Sequence, residues 1–316
     1  MNDTTDQAIE NYRAKSPVLF LVFNRPDTTK SVFEAIRQAR PPRLYVAADG
    51  PRSDRPGEAE KCEEARRIAT AVDWDCEMKT LFRETNMGCG PAVKASIDWF
   101  FGNEEAGIVL EDDTVATRGF FAFCDELLFK YQYDDRVAMI AGTNHIGYKP
   151  TYASYLFSKN KACWGWATWK RSWNNMDFAM SWRNSQQAQC ILNNMGCTGL
   201  HQKHWQNALS AIDDERVSTW GWRWYFSVAA QSQLTIFPSI NMVSNIGFGD
   251  NATHTKGSPR KEFIQTYDMD FPLVHPEFIC PDFEYDKSFE RKKMPGRRLR
   301  KYIPKSIKTF VRRVLK

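Results

Sequence analysis

Apolar positions along the chain fall into short continuous runs separated by longer stretches with helical spacing. Pro17-Val18-Leu19-Phe20-Leu21-Val22-Phe23 is apolar throughout, as expected of a strand covered on both faces. It stops at Asn24-Arg25-Pro26. Asp27, Thr28 or Thr29 then offers an N-cap for a helix with Val32, Phe33 and Ile36 at core spacing. Leu44 to Ala48 predicts a second strand, ending at Asp49-Gly50. The mixed acidic and basic stretch from Gly57 to Ala71 reads as a surface helix. Lys79 to Phe82 is a short third strand, closed by Arg83 and the turn Asn86-Met87-Gly88-Cys89-Gly90. Pro91 stands where a first helical position is expected, with a helix running on towards Trp99. Gly107 to Leu110 forms a fourth strand that ends abruptly at Glu111-Asp112-Asp113. A helical segment with Phe120, Phe121, Phe123, Leu127 and Leu128 follows.

This alternation predicts an α/β fold with a parallel sheet and right-handed crossovers. The strand ends then gather on one edge of the sheet, which is where open α/β sheets bind ligands. Three adjacent acids at such an edge repel one another and tolerate burial poorly, so a hard cation is a natural partner. The chain has neither GxGxxG nor GxxxxGK[ST], which disfavours ordinary dinucleotide binding and P-loop chemistry.

The second half differs in composition. Nine of the eleven tryptophans lie between Trp164 and Trp224, including Trp164-Gly165-Trp166 and Trp220-Gly221-Trp222-Arg223-Trp224. A tryptophan offers a flat apolar face and one N–H donor, suited to sugar rings and bases, although most of these nine are expected to pack in the core. After a strand at Leu234 to Phe237, the loop from Ser244 to Thr255 is polar, carries glycines and holds His254. It reads as a lid.

At 316 residues, 42% hydrophobic and 26% charged, the chain has the composition of a globular protein. No apolar run is long enough to span a bilayer, and residues 1–15 resemble neither a signal nor a transit peptide. Eight cysteines without a CxxC predict no disulfide framework or zinc site, in keeping with a reducing cytoplasm. The net charge of +5 conceals an asymmetry: residues 287–316 hold thirteen Lys and Arg against one acid, Glu290, so the body is mildly acidic. Beyond Pro304, Ile307, Phe310, Val311, Val314 and Leu315 share one helical face, with Lys305, Lys308, Arg312 and Arg313 around the other. That pattern predicts an interfacial helix on an anionic membrane, where each basic residue adds about 1 kcal/mol. Nucleic acid is not expected as a partner, because the aromatics lie mostly in the body.

Taken in order, Phe23 to Pro26, Ala48-Asp49-Gly50, the turn through Asn86 to Gly88, Glu111 to Asp113, Cys163 to Trp166, Trp220 to Trp224 and the Ser244 to Thr255 loop give the chain a family likeness. It resembles nucleotide-sugar-dependent glycosyltransferases of the GT-A fold, and more narrowly bacterial relatives of the N-acetylglucosaminyltransferase I group. The resemblance implies a Rossmann-like, mixed and mostly parallel sheet flanked by helices. It implies a nucleotide-sugar-binding half at 16–142 and an acceptor and lid half at 143–286, between a polar segment at 1–15 and a basic tail at 287–316. It further implies a nucleoside diphosphate sugar donor, UDP-linked by default, and Mn²⁺ or Mg²⁺ on Asp113, with His254 near the metal. Asn24, Arg25, Asp49, Arg83, Asn86, Gly88, Lys94, Asp112 and Asp113 would bind the nucleotide sugar, and Asp49 would accept from a base N–H. Trp164, Trp166, Trp220 and Arg223 would meet the acceptor, a saccharide or lipid-linked saccharide such as a lipopolysaccharide precursor. The expected location is cytoplasmic, peripheral at the inner face of the plasma membrane.

An inverting transfer also needs a carboxylate to take the acceptor proton. Relatives often carry it one residue after the first tryptophan of the 220 segment, where this chain has Gly221. Asp213, Asp214, Glu215 and Asp250 are the substitutes, Asp250 being preferred, while Glu111 would act at the donor sugar. Two other readings compete: a sugar-phosphate nucleotidyltransferase, and a non-catalytic nucleotide- or carbohydrate-binding module.

Overall fold

The computed structural model describes residues 11–197, 199–247 and 265–293. Strands β1 (Val18–Val22), β2 (Arg43–Ala48), β3 (Glu77–Phe82) and β4 (Ala106–Glu111) are parallel and ordered β3-β2-β1-β4. The crossovers are helices α1 (Pro26–Ala39), α2 (Glu58–Ala69) and α3 (Cys89–Asn103). Helix α1 begins at Pro26, a residue before the first proposed cap, because proline has no N–H to leave unpaired in a first turn. The chain then passes through β5 (Thr114–Ala116) and α4 (Arg118–Lys130) to β6 (Val137–Ala141), β7 (Tyr155–Ser158) and β8 (Trp166–Trp169).

Strand β8 inserts antiparallel between β4 and β6, a feature the sequence pattern did not predict. Strands β9 (Leu234–Pro238) and β7 complete the order β3-β2-β1-β4-β8-β6-β9-β7, with β9 parallel to β6 and β7 antiparallel on the edge. The result is a mixed, mostly parallel α/β sheet flanked by helices. Alternate residues of its strands feed two layers. Val18, Phe20 and Val22 pack with Val32, Phe33 and Ile36 of α1 and with the phenylalanines of α4. Leu19 and Leu21 face Ile97, Phe100 and Phe101 of α3 on the other side. Both faces of β1 are covered, which is why it is apolar at every position, while β3 on the sheet edge is largely exposed.

The tryptophan-rich half supplies short helices α5 (Lys170–Trp173) and α6 (Ala188–Asn193), then α7 (Gly199–Asp213) and α8 (Trp220–Ala230). Trp166, Trp173, Trp220 and Trp224 join the α3 face of the core, while Trp182 and Trp205 form a smaller cluster with Phe226. Strand β10 (Val243–Asn245) pairs antiparallel with β5 in a separate ribbon. Helix α9 (Phe283–Lys293) packs Tyr285 and Phe289 against Leu156 and Phe237, and it runs across the expected boundary between 286 and 287.

Candidate functional site

Register determines which side chains meet at the sheet edge. Leu21 of β1 lies beside Glu111 of β4, and Val22 beside Ala48 of β2, so residues 23–25, 49–50 and 111–113 leave the sheet together. Between them is a pocket of about 290 Å³, bordered by Asn24, Arg25, Asp49, Arg52, Asn86 and Gly88 and by all three acids. Trp164, Asn245 and Gly247 close its other wall. A larger groove of about 1230 Å³ opens beside Pro17 and Ala106, at the opposite strand ends. Its buried acid, Asp125, is occupied by the Tyr12 hydroxyl at 2.6 Å and the Lys15 and Ser16 amides at 2.7 and 2.8 Å, so the strand-end pocket holds the convergent chemistry.

At the centre, Arg25 spans two acids. Its Nη2 donates to Asp112 Oδ1 and its Nη1 to Asp113 Oδ2, the latter at 2.8 Å. Asp112 also accepts from the Phe23 amide at 3.3 Å. Thr114 closes the acid turn, its hydroxyl bonding the Glu111 amide at 2.9 Å and the Glu111 carbonyl at 3.0 Å. The β5–β10 ribbon then carries Asn245 and Gly247 over Asp113, whose carbonyl accepts from the Ile246 amide at 2.8 Å. Gly247 is pressed against the acid pair: a Cβ there would stand 2.1 Å from Asp113 Oδ2.

One guanidinium does not balance three carboxylates. Burial first, then the charges of Asp113 and Asp112, push the Glu111 carboxyl up, and Arg25 offsets this only in part. Asp112 is likewise raised by burial, against the pull of Arg25. Asp113 Oδ1 takes no hydrogen bond among the described residues, which leaves one oxygen available to a hard cation. No group of three or more His, Cys, Asp or Glu side chains among those residues forms a metal cage. A cation at this edge would take Asp113 Oδ1 from the protein and its remaining oxygens from ligand and water.

Asp49 has a different role from the one the sequence implied. Its Oδ1 accepts from the Gly50 and Met87 amides at 3.0 Å, and its Oδ2 from Asn86 Nδ2 and the Gly88 amide at 3.0 and 3.1 Å. Both oxygens are engaged in holding the 86–88 turn, so Asp49 positions the pocket wall and is not an open acceptor for a base. Gly88 completes that turn with φ of 82°, where a side chain would be strained. Arg83 stands behind the wall, donating to the Ser96 hydroxyl at 3.2 Å.

Several assignments are corrected. Trp166 is fully buried and stacks on Trp220, with centroids 5.5 Å apart, so neither meets an acceptor; strand β8 and helix α8 turn both inward. Trp164 does border the pocket, edge-on to His145 at 4.9 Å. Arg223 caps Phe178, donating to its carbonyl at 2.6 Å with its guanidinium 4.6 Å from the ring. Lys94 pairs with Asp98 along α3, outside the pocket lining. Asp213 and Asp214 are held by Arg183 and Arg216 on the surface. Asp250, His254 and the tail from 294 onward lie outside the described residues.

The structure adds residues that sequence reasoning missed. Glu58 is buried at the start of α2, where it accepts from Asn24 Nδ2 at 2.8 Å and from the Arg52 amide at 2.8 Å. These contacts hold its carboxyl low, near 2, with Arg52 as the main cause. Arg52 thereby becomes a second guanidinium on the pocket rim. Cys163, Tyr225 and Gly221 lie on the Glu111 side: the Glu111 charge helps raise the Cys163 thiol, and a Cβ on Gly221 would meet Cys163 Sγ at 3.4 Å, an ordinary contact.

No protein-family model matches the chain, and no curated protein matches its sequence. Among solved structures it is similar to an inositol-1-phosphate CTP transferase from T. maritima. Identity is 9% over 54% of this chain and 77% of that one, with a TM-score of 0.33, a likeness too shallow to carry an argument.

Proposed function

We propose that the chain is a metal-dependent, inverting glycosyltransferase of the GT-A type, moving a sugar from a nucleoside diphosphate sugar to a saccharide acceptor. One observation carries this reading: an uncompensated acid cluster, bridged by a single arginine, at the ligand-binding edge of a mostly parallel sheet. Asp113, with Asp112 beside it, would hold Mn²⁺ or Mg²⁺. When bound, such a cation supplies Lewis-acid stabilisation of charge on a leaving diphosphate.

The remaining roles belong to the chain's own residues. Arg25 and Arg52 border the pocket as phosphate partners. The rigid 86–88 turn forms the nucleotide wall, and Trp164 offers an aromatic face towards the sugar. The acceptor oxygen attacks the anomeric carbon as the bond to diphosphate breaks, and its proton passes to a carboxylate. Glu111, on the Cys163 side of the pocket, and Asp250 are the two carboxylates for that proton. The acceptor is a saccharide precursor presented at an anionic membrane to which the basic tail is drawn.

A second reading, nucleotidyl transfer from a nucleoside triphosphate to a sugar phosphate, is favoured by the pair of guanidiniums on one pocket, Arg25 and Arg52. Against it, α1 starts at Pro26 directly after Arg25, leaving no room for a glycine-rich phosphate loop behind β1. Calorimetric titration with UDP, GDP and CDP, with and without Mn²⁺, tests the proposal. Mn²⁺-dependent binding of one diphosphate supports it, and absence of binding to all three sinks it. Release of pyrophosphate from a triphosphate and a sugar phosphate would move the assignment to the second reading.

A further inference from the structure

Residues 272–283 run along the free side of edge strand β7 and close it. The Ser154 amide donates to the Val274 carbonyl at 2.8 Å, and the Val274 amide to the Ser154 hydroxyl at 2.9 Å. Further along, the Asp282 amide donates to the Phe157 carbonyl at 2.8 Å, and Tyr152 reaches the Asp282 carboxylate. Covering an open edge in this way protects it from pairing with other chains. The cover is itself apolar outside: Val274, Phe278, Phe283 and Tyr152 are 57%, 69%, 55% and 55% exposed, four of the ten large exposed hydrophobics of the described residues. Isolated exposed apolar residues are ordinary, but the Ser154–Val274 and Tyr152–Asp282 bonds bring Val274, Tyr152 and the neighbouring Phe283 to one edge, and exposed apolar side chains gathered so mark an interaction surface.

Helix α9 continues directly from this edge and is sided. Tyr285, Asp286, Phe289 and Glu290 are buried, and Ser158 and Asn160 bond Asp286 to anchor the helix to the body. Phe283, Lys287 and Arg291, spaced at i, i+4 and i+8, share the outward row. The Lys287 ammonium lies 4.4 Å from the Phe283 ring centre. Glu284 pairs with Lys287, and Glu277 is the other exposed acid of the stretch. The sequence from 294 to 316, which begins where this helix ends, has nine Lys and Arg and no acid.

We infer that this edge of the folded body, Val274, Phe278, Phe283 and Tyr152 with the outward row of α9, is a second membrane contact, inserting apolar side chains into an anionic lipid surface. The inference rests on the reading of the tail as membrane-seeking and adds a rigid element to it. Aromatics at the headgroup boundary beside lysines and arginines match the chemistry of an anionic interface, and charge alone would leave the exposed phenylalanines unexplained. Because α9 is fixed to the sheet, the contact sets how the body is oriented on the surface.

The test is cosedimentation of the full chain with vesicles of phosphatidylcholine containing phosphatidylglycerol. Three proteins are compared: wild type, Val274→Ser/Phe278→Ser/Phe283→Ser, and Lys305→Gln/Lys308→Gln/Arg312→Gln/Arg313→Gln. The edge variant is expected to bind about tenfold more weakly, with its melting temperature and nucleotide binding unchanged, since the replaced side chains face solvent. High salt should weaken wild-type binding more than it weakens the tail variant, whose remaining contact is largely apolar. Wild-type affinity in the edge variant overturns the inference while leaving the tail reading intact. Failure of wild type to bind any vesicle overturns both.

Discussion

Gly247 and Asp113 are in such close contact that a single methyl group at position 247 would overlap the carboxylate: a Cβ would come within 2.1 Å of Oδ2 and 2.8 Å of Arg25 Nη1. The atoms it would meet are the two that make the central ion pair. Gly247→Ala should therefore separate Arg25 from Asp113 at a cost of roughly 1–3 kcal/mol. Calorimetry should show nucleotide affinity in the presence of Mn²⁺ falling by about tenfold or more, a 1.4 kcal/mol loss being one decade. Unaltered affinity would mean that the acid pair is not where ligand and cation meet.

Arg25 gives a second prediction with an internal control. Replacing it by Gln leaves Asp112 and Asp113 enclosed without their counter-charge, and thermal melts should show a loss of about 2–4 kcal/mol in the metal-free protein. Added Mn²⁺ should return part of that stability to the variant and much less to wild type. A variant as stable as wild type at every Mn²⁺ concentration would remove Arg25 from the centre of the site.

Glu111 predicts a pH dependence. Its carboxyl is raised by burial and by the neighbouring aspartates from the ordinary 4.5 to about 8. In that window the folded protein binds the proton more tightly than the unfolded chain does, so stability declines as pH rises from about 4.5 towards 8. Glu111→Gln cannot ionise and should flatten this slope in metal-free denaturant titrations, leaving the share of Asp112, whose carboxyl is also raised, and making the variant more stable than wild type at pH 8. The same variant should lose turnover if Glu111 takes the acceptor proton, whereas loss in Asp250→Asn would assign that role to Asp250.

Two tryptophans in one short motif should respond in opposite ways. Trp166→Ala empties a site enclosed by Trp173, Trp220 and Trp224 and should cost about 3–5 kcal/mol of stability. Trp164→Ala should leave the melting temperature nearly unchanged and weaken donor-sugar binding, read as a loss in affinity for the nucleotide sugar relative to the free nucleotide. Equal destabilisation by both would make Trp164 a packing residue.

These contrasts show what a sequence makes legible. The polar strand ends could be read because β1, the core of β2 and β4 are covered on both faces and run apolar, as in Val18 to Val22, whereas β3, exposed on the sheet edge, showed only its last residues as a strand. Asp112 and Asp113 stood out because acids rarely follow such a run. Trp166 and Trp164 could not be told apart, since residues two apart on a strand share a face and the motif does not say that β8 begins only at Trp166, after Gly165 turns the chain with φ of 58°. Glu58 was hidden for a related reason: it opens a helix rich in charge, and only the fold brings Asn24 and Arg52 to it. Asp49 was placed correctly at the sheet edge, but its partners lie 37 to 39 residues away in the 86–88 turn, a pairing no local pattern encodes.

The antiparallel insertion of β8 bears on how the chain is made. Strands β1 to β4 can assemble as soon as they leave the ribosome, yet the strand that seals β4 is Trp166–Trp169, synthesised well after Glu111. At roughly 5–20 residues per second, the nascent sheet carries an unsealed β4 edge for several seconds. In that interval the open β4 edge can pair with another chain, the route by which an incomplete sheet aggregates.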